Sequence, residues 1–496
     1  MATPPYLPKT PPYDHQRDEL AERWDVAGWL NNWEQGTGKS KVTIDRAAML
    51  YEAGRINAAV VIAPPGVERN WATDELPTHL PDRIGREAFV WSTAKSGTQY
   101  HAAAAKNLLR SKQFAWLLMT YDSIMTTKGK AFLWRFLQER RALLIADESH
   151  NVKSPGAKRT IRLLAASAYA PYRNALTGTL ISLGPFDAYS QVKFVDETFW
   201  KRNGFADYVS FKAYFGVWFT RADCMEVHGY DPKYDKLVEY RNLDRLAELL
   251  KRVSSRVLKE EVLDLPPKVY RKVYFDLTPE QLRLYDRLKE DFEVETLSGA
   301  RVEAALAIVR LLRFQQICCG YVGTDNDAEP TEEIPGGNPL LEALDQWAGG
   351  LSGKAIVWCR FTRDIELVSE RLARHGKVVR YYGAQTDDQN AEASEAYKHD
   401  PSVLFIVANS SKGATGLTWN MTRHVAYYSN SFRLLDRLQS EDRAHRIGMA
   451  GSVDYTDFIG RRPDGRKTVL HDIVENLRGK RDIASRITGD ELREWI

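Results

Sequence analysis

Short apolar runs recur along the chain and are separated by longer stretches with helical periodicity. In the first half they cover residues 59–63, 115–119, 142–146 and 174–176, and in the second half residues 355–358, 377–381, 403–407 and 424–428. Continuous runs of this length, rich in valine, isoleucine and leucine, are typical of strands buried on both faces of a parallel sheet. Two such sets predict an α/β fold with two tandem parallel-sheet domains.

The segment between the two sets has a different character, because it is rich in aromatic residues and its pattern favours helices. A helical stripe of this kind more often packs in a core than contacts a ligand, so we expect a helical insertion on the first domain. The prolines of Leu265-Pro266-Pro267-Lys268 then stop a helix and mark the crossing to the second half. The predicted divisions are residues 1–185, 186–264 and 265–496.

Composition sets broad limits on these domains. The chain has 496 residues, which is too long for one ordinary core, and its hydrophobic content of 44% and charged content of 27% are globular values. A net charge of +3 permits a local basic channel without requiring a nucleic-acid partner. The four cysteines show no CxxC spacing, which argues against a zinc site or a disulfide framework. No apolar stretch approaches the ~20 residues of a membrane span, so we expect a cytoplasmic protein without a membrane partner.

A glycine-containing turn, Gly36-Thr37-Gly38-Lys39-Ser40, has the Gly-Lys-Ser ending of a phosphate-binding loop. Its glycines let successive N–H groups converge on a phosphate at the start of a helix. Lys39 would then reach the β- and γ-phosphates, and the Ser40 hydroxyl would hold Mg²⁺. Trp33 stands where the strict motif has its first glycine, and the alternative is an ordinary turn before a helix.

Two acidic residues follow the strand predicted at residues 142–146, in the sequence Asp147-Glu148-Ser149-His150. Open α/β sheets bind ligands at the carboxyl ends of their strands. Asp147 would orient the same Mg²⁺ as Ser40, and Glu148 would position and polarise the attacking water. An acidic turn that caps a helix is the alternative. Together with the glycine-containing loop, the pair favours a site that hydrolyses ATP.

The acidic sequence resembles motif II of the superfamily-two (DEAD/DEAH-like) helicases, and DESHNVKSPGAKRT resembles the version found in Swi/Snf-type DNA translocases. Further segments follow in that family's order along nearly the whole chain. They are APPGVERNW at 63–71 (motif Ia), 119–121 (motif Ib), 176–180 (motif III), 410–418 (motif V) and 439–448 (motif VI). Leu180 departs from the proline that is usual in motif III. The resemblance implies two RecA-like domains.

The resemblance also implies roles for individual residues of an ATP site. Gln16 lies 23 residues before Lys39, where the family has a glutamine that reads adenine. Thr37 belongs to the phosphate loop, and Gln439 completes the site. Arg443 and Arg446 would act as arginine fingers on one face of a predicted helix, so that hydrolysis drives relative domain movement. The alternative for the arginines is a helix face with surface ion pairs.

Contacts with nucleic acid are implied by the same resemblance. The residues assigned to polymer contact or to coupling are Thr120, Tyr121, His150, Thr177, Thr179, Ser410, Ser411 and Lys412. Hydroxyl groups and a lysine suit contacts with phosphates that do not depend on sequence. Trp358 fits either a buried strand position or a platform for base stacking.

These observations predict an ATP- and Mg²⁺-dependent motor, an ATP hydrolase that moves on double-stranded DNA, with branched or forked DNA as further candidate substrates. A strand-separating DNA or RNA helicase remains an alternative, as does a non-catalytic DNA clamp. The compact chain suggests a bacterial or phage protein acting in the cytoplasm at DNA, in replication, recombination or repair, or a motor that depends on a separate protein partner.

Overall fold

The computed structural model of the chain describes residues 6–181, 184–228, 235–297, 304–323, 331–409, 418–449, 451–475 and 477. The chain divides into two compact units, with the first ending at Leu263 and the second beginning at Asp264. Each unit is built on its own parallel sheet. None of the helices in these described stretches is long and apolar enough to cross a membrane.

The first unit alternates strands with helices. Its strands are β1 (Gly28–Trp33), β2 (Ala58–Ala63), β3 (Arg86–Val90), β4 (Phe114–Thr120), β5 (Ala142–Asp147), β6 (Tyr172–Thr177), β7 (Gly216–Phe219), β8 (Lys236–Tyr240) and β9 (Ser254–Val257). Among the described residues, seven of them form one sheet in the order β3-β4-β2-β5-β6-β1-β9, and all its pairs are parallel. Strands β7 and β8 form a separate antiparallel pair.

Helices cover the sheet of this unit. They are α1 (Asp14–Arg23), α2 (Lys39–Glu52), α3 (Val67–Asn70), α4 (Leu76–His79), α5 (Gln99–Arg110), α6 (Thr127–Glu139), α7 (Lys158–Ser167), α8 (Ala188–Val195), α9 (Phe199–Arg202), α10 (Tyr208–Phe215), α11 (Arg221–His228), α12 (Leu243–Lys251) and α13 (Lys259–Val262). Strand β2 shows why both faces need cover: Val60 and Ile62 pack in one core, and Ala59 and Val61 pack in the other.

The second unit repeats this plan. Its strands are β10 (Lys268–Asp276), β11 (Tyr321–Val322), β12 (Glu332–Glu333), β13 (Ala355–Cys359), β14 (Lys377–Tyr381), β15 (Val403–Asn409), β16 (His424–Tyr427) and β17 (Val453–Arg461). Its helices are α14 (Pro279–Leu297), α15 (Ala304–Cys318), α16 (Pro339–Gly349), α17 (Thr362–Leu372), α18 (Asp387–His399) and α19 (Leu434–Glu441). In the described part, six parallel strands form the sheet in the order β10-β17-β16-β13-β15-β14.

The predicted fold of two parallel-sheet α/β domains is confirmed, and all eight predicted strands are present. The pattern missed β1, β3, β9, β10 and β17, because polar residues interrupt their apolar runs. The segment predicted as a helical insertion does contain helices α8 to α13, but it also contains the β7–β8 pair and the edge strand β9. The aromatic stripe packs internally, as expected, with Trp200 and Phe211 both buried.

A buried carboxyl group in the second unit gives a prediction about pH. Asp364 accepts hydrogen bonds from Tyr321 Oη over 2.8 Å and from Ser429 Oγ over 2.5 Å, and burial raises its pKa to about 6. The folded chain therefore binds a proton at Asp364 at a pH where the unfolded chain does not, so this group stabilises the fold as pH falls from 7 to 5. Relative to Asp364→Asn, the free energy of unfolding of the second unit in wild type should rise by roughly 1 kcal/mol over that interval, measured at both pH values by amide hydrogen exchange in peptides from β13. An equal change in both proteins would contradict the prediction.

Candidate active site

Three segments with site residues follow neighbouring strands of the first sheet. The glycine-containing loop follows β1, Asp147 and Glu148 lie at the end of β5, and Thr177 ends β6. Strand β6 lies between β1 and β5, and all three strands are parallel. Their carboxyl ends therefore share one edge of the sheet, which is where open α/β sheets bind ligands.

The loop between β1 and α2 has the backbone of an anion-binding turn. Gly36 and Gly38 have φ angles of 84° and 88°, a region that side chains with a Cβ rarely enter. Helix α2 begins at Lys39, so its first N–H groups point toward this turn. Lys39 Nζ donates to the carbonyls of Trp33, over 2.8 Å, and Glu34, over 3.2 Å. A bound phosphate would compete with these carbonyls for the ammonium group.

Trp33, the departure from the strict motif, is explained by its place in the strand. It is the last residue of β1 and is fully buried, and its Nε1 donates to Ser255 Oγ on β9 over 2.9 Å. The side chain fills the core behind the loop and leaves the turn at Gly36 and Gly38 unaltered. The tryptophan therefore replaces a glycine at a position that belongs to the sheet.

Gln16 packs against the phosphate loop. Its Nε2 donates to the carbonyl of Thr37 over 3.1 Å, and its Oε1 accepts from the N–H of Tyr13 over 3.1 Å. A Cβ at Gly38 would lie 2.1 Å from Gln16 Nε2, so the close approach of this amide is a second reason for glycine there. The structure brings Gln16 to the loop, and its recognition of adenine stays a prediction.

Asp147 is buried and tightly held. Trp71 Nε1 donates to its Oδ2 over 2.9 Å, and the N–H of Glu148 donates to its Oδ1 over 2.9 Å. Burial, and then the neighbouring Glu148 carboxylate, raise the pKa of Asp147 to about 6, against the opposing effects of the Trp71 hydrogen bond and Lys39. The Asp147 carboxylate and the Ser40 hydroxyl are oxygen ligands of the kind that Mg²⁺ prefers, so these residues fit that ion.

Glu148 has an unusual backbone. Its φ and ψ angles are 51° and 54°, and among the described residues Asn242 is the other non-glycine residue with a positive φ. This left-handed conformation costs about 1–2 kcal/mol and persists where surrounding contacts enforce it. Gln35 Nε2 donates to Glu148 Oε1 over 3.2 Å, and His150 Nδ1 lies 3.3 Å from Glu148 Oε2. The carboxylate is therefore oriented from both sides.

His150 links the acidic residues to the segment after β6. Its Nδ1 lies 3.4 Å from Thr177 Oγ1, which in turn accepts from the N–H of Thr179 over 3.0 Å. The same segment packs on the phosphate loop, since a Cβ at Gly178 would lie 3.4 Å from the Gln35 side chain. The structure thus brings Glu148, His150, Thr177 and Thr179 into one chain of contacts.

Gln35 and Trp71 are site residues that the sequence reasoning did not assign. Trp71 is the last residue of the segment that resembles motif Ia, and Gln35 directly precedes the glycine-containing turn. Nothing local in the sequence predicts that an amide at position 35 meets a carboxylate at position 148. Their contacts with Glu148 and Asp147 follow from the pairing of the strands.

Removing the amide of Gln35 should slow hydrolysis without weakening nucleotide binding. For Gln35→Leu we expect kcat for ATP to fall about tenfold. This factor corresponds to roughly 1.4 kcal/mol, which is about the contribution of one hydrogen bond to a charged group. The KM for ATP should stay within about twofold of wild type, because the substitution leaves Lys39 and the backbone N–H groups of the loop in place. Steady-state kinetics check the effect, with Gln138→Leu, at an exposed position of the same unit, as the control. Equal kcat values for the two variants would contradict the prediction.

Two of the predicted nucleic-acid residues have internal contacts. Tyr121 is 2% exposed, and its hydroxyl donates to the carbonyl of Asp147 over 2.9 Å, so it does not face a polymer. It supports the acidic segment instead, which corrects the prediction that Tyr121 contacts nucleic acid. Thr120 is half-buried and its Oγ1 accepts from the N–H of Ser123 over 3.0 Å. Trp358 is fully buried in β13, which excludes base stacking.

The second unit corrects the placement of the two arginines. Helix α19 ends at Glu441, so Arg443 and Arg446 lie in the turn that follows and do not share a helix face. Arg443 is 1% exposed, and its Nε donates to the carbonyl of Gln439 over 3.0 Å. Arg446 is half-buried, and its Nη1 donates to Thr418 Oγ1 over 2.7 Å. The alternative of a charged surface helix face does not apply either.

Gln439 lies on α19 and is buried. Its Nε2 has no hydrogen-bond partner among the described residues. A buried amide donor without a partner costs about 1–3 kcal/mol, so this group fits a role toward a ligand. The predicted contact residues Ser410, Ser411 and Lys412 lie outside the described residues.

Helix α19 is anchored by buried ion pairs. Arg437 pairs with Asp457 of β17 over 2.5 Å and with Glu441 over 2.9 Å. Lys268 Nζ lies 3.0 Å from Glu441 Oε2, and His445 Nε2 lies 2.8 Å from the carbonyl of Pro266. The Leu-Pro-Pro-Lys segment is therefore bonded to both the helix and the turn that carries the arginines.

Two parallel-sheet domains, the first with a phosphate-binding turn and an acidic pair at one sheet edge, define a nucleotide-binding protein of the helicase class. The SNF2-related domain matches residues 25–321, more than half of the 496 residues, and the helicase conserved C-terminal domain matches residues 340–448. The chain therefore belongs to the SNF2-related family. The predicted Swi/Snf resemblance is confirmed.

The chain is similar to several characterised proteins. The "SWI/SNF-related matrix-associated actin-dependent regulator of chromatin subfamily A member 1" of Mus musculus is 24% identical over 436 residues, which cover 85% of this chain and 38% of that protein. The "DNA annealing helicase and endonuclease ZRANB3" of Homo sapiens is 22% identical over 430 residues, which cover 85% of this chain and 35% of that protein. The chain thus spans little more than a third of these relatives.

A solved structure is also similar. The "Sulfolobus solfataricus SWI2/SNF2 ATPase core in complex with dsDNA" is 18% identical, with a TM-score of 0.41, and the alignment covers 93% of this chain and 90% of that one.

Proposed function

We propose that the chain is an ATP- and Mg²⁺-dependent motor of the Swi/Snf type that moves along double-stranded DNA. The observation that carries the proposal is the chain of contacts from Gln35 through Glu148 and His150 to Thr177. It connects the phosphate loop, the acidic pair and the segment predicted to couple hydrolysis to DNA. A non-catalytic clamp would have no need to hold Glu148 in a strained backbone between two partners.

The residues of the first unit have complementary roles in this proposal. Gly36, Thr37 and Gly38 present backbone N–H groups to the phosphates, and Lys39 neutralises the β- and γ-phosphates. Asp147 and Ser40 would hold Mg²⁺, which would supply further charge neutralisation on the phosphates. Glu148 accepts a hydrogen bond from the attacking water and orients it, while Gln16 recognises adenine.

The second unit contributes positive charge to the same reaction. Arg443 and Arg446 would provide guanidinium groups for the γ-phosphate, and Gln439 would direct toward the nucleotide or the nucleophile its Nε2, which has no partner within the described part of the chain. Arg443 already has its Nε engaged by the carbonyl of Gln439, which fixes the direction of its guanidinium group. Arg446→Ala should therefore lower turnover while Gln16 and Lys39 still bind ATP.

Double-stranded DNA is the polymer we propose, with branched or forked DNA as further substrates. The names of two relatives refer to chromatin and to DNA annealing, which supports DNA over RNA. Contacts through Thr120, Ser410, Ser411 and Lys412 would be sequence-independent, so affinity should fall steeply with salt. Action in the cytoplasm of a bacterial or phage-infected cell, with a replication or repair partner, stays a prediction.

The proposal is tested by ATPase rates of the purified chain with duplex, single-stranded and forked DNA and with RNA. We expect duplex DNA to stimulate turnover most. Displacement of a triplex-forming strand without separation of a labelled duplex identifies a translocase. Separation of the duplex instead identifies a strand-separating helicase. If no polymer stimulates ATP turnover, the proposal of a motor is overturned.

A further inference from the structure

A cleft in the first unit lies away from the residues of the ATP site. It has a volume of about 480 Å³ and runs between α5 and α6, the two helices that connect β3 to β4 and β4 to β5. Strand β3 is at the edge of the sheet, and β1, which leads to the phosphate loop, is five strands further along. With strands about 4.8 Å apart, the two sites are separated by roughly 24 Å across the sheet. We call this cavity the α5–α6 cleft.

The floor of the α5–α6 cleft is aromatic. Trp91 and Phe132 are stacked, with ring centroids 5.0 Å apart, and the His101 ring stands against Trp91 at 4.7 Å. Trp91 is 7% exposed, and its Nε1 has no hydrogen-bond partner among the described residues. A buried indole N–H is normally paired, so this one is an exception in the aromatic floor.

The walls of the cleft are formed by small residues. Helix α5 contributes Ala102 and Ala105, and helix α6 contributes Ala131. Both helices have capped N-termini, since Thr98 Oγ1 accepts from the N–H of His101 and Thr126 Oγ1 accepts from the N–H of Gly129. Alanines on facing helices leave space that larger side chains would fill, so the cleft is a stable feature of two well-formed helices.

The rim of the cleft is strongly basic. Lys106 and Arg110 stand on α5, and Lys128 and Arg135 stand on α6, all four of them exposed. Glu139 is the one carboxylate among the lining residues, and it pairs with Arg135 over 2.7 Å. An apolar floor inside a rim of excess positive charge is complementary to a ligand that combines an apolar group with carboxylates.

We propose that the α5–α6 cleft binds an acidic peptide segment of a partner protein, with a large apolar side chain of that segment inserted between the helices. The volume lies within the range of roughly 300–1,000 Å³ found for small-ligand pockets, which leaves room for a large side chain. Carboxylates flanking the anchor would pair with Lys106, Arg110 and Lys128, as in grooves that recognise amphipathic segments. Phosphates of a DNA duplex would meet the basic rim but would leave the aromatic floor uncovered, which favours the peptide.

Two variants of the full chain test the proposal without touching the ATP site. Lys106→Glu combined with Arg110→Glu reverses the charge of one rim, and Ala131→Trp fills the cleft without changing charge. All three positions are exposed, so the fold should be retained. The matched control is Lys112→Glu combined with Lys201→Glu, two exposed lysines of the same unit that do not line the cleft.

The probe is a fluorescein-labelled 14-residue helical peptide that carries Glu on one face and a Phe-Leu pair as its anchor. Fluorescence anisotropy should show saturable binding to wild type, and about a tenfold or greater loss of affinity in both cleft variants but not in the control. Replacing the Phe-Leu pair by alanine should weaken binding similarly. DNA-stimulated ATP turnover should be the same in all four proteins.

Three results would overturn the proposal. One is absence of saturable peptide binding to wild type up to 1 mM. The second is equal affinity of wild type and both cleft variants. The third is a labelled 20-base-pair duplex that loses affinity in the cleft variants while the peptide does not, which would assign the rim to DNA. Loss of ATP turnover by an ATP-site variant such as Lys39→Ala leaves peptide binding unchanged, so this test is separate from that of the motor.

Discussion

Replacing Glu148 by glutamine is expected to lower kcat for ATP hydrolysis about 10³-fold, within the 10²–10⁴ range attributed to a positioned general base. Glutamine has the same length and can still contact Gln35 and His150, but it cannot accept a proton from the attacking water. Binding of ATP should be retained, because Lys39 and the loop N–H groups do not involve this carboxylate. Single-turnover and steady-state hydrolysis in the presence of duplex DNA measure the effect.

Lys39→Ala provides the comparison for this variant. It should also lose turnover, but together with most of its nucleotide affinity, because the ammonium group contacts the phosphates in the ground state as well as in the transition state. Isothermal titration with a non-hydrolysable ATP analogue separates the two variants. If the kcat of Glu148→Gln for ATP hydrolysis were within threefold of wild type, Glu148 would have no role in orienting the attacking water. Its strained backbone would then need another explanation.

The parts of the fold that the sequence predicted are those in which local pattern and tertiary burial agree. Every residue of β2 and β5 is buried, so an unbroken apolar run was sufficient to find them. Strand β1 is nearly as deep in the sheet, but Asn31 and Asn32 interrupt it. The side chain of Asn31 donates to Glu19, and that of Asn32 accepts from the N–H of Leu180, 148 residues away. Such polar strand positions are satisfied only in the folded chain.

The same distinction applies to the candidate site. Lys39, Asp147 and Glu148 were predicted because a short motif carries both the chemistry and the turn that presents it. Gln35 and Trp71 act on those residues through the strand order, which no single segment encodes. For the arginines, the local pattern predicted the wrong structure. The polar residues after Glu441 continue the helical pattern of α19, but the helix ends at Glu441 and the chain turns. Later in this segment Gly448 has a φ of 86°.

The buried charge that anchors α19 gives the second large prediction. Asp457→Ala should lower the free energy of unfolding of the second unit by about 3–5 kcal/mol, because it leaves the Arg437 guanidinium buried with one of its two carboxylate partners removed. Both Arg437 and Asp457 are buried, with little solvent to compensate the lost charge. Since unfolding of two units is not expected to be two-state, amide hydrogen exchange in peptides from β16 and β17 is the suitable measurement.

The pair Asp276–Arg461 is the matched control, since it also involves β17, which it joins to β10, but its side chains are 66% and 55% exposed. Asp276→Ala should cost at most about 1 kcal/mol. The double replacement Arg437→Met with Asp457→Leu should recover most of the lost stability, because no buried charge is then left unpaired. It should not recover ATP turnover, because α19 loses the pairing that positions the turn bearing Arg443 and Arg446. Equal protection of β17 in the Asp457 and Asp276 variants would show that the buried network does not hold this helix.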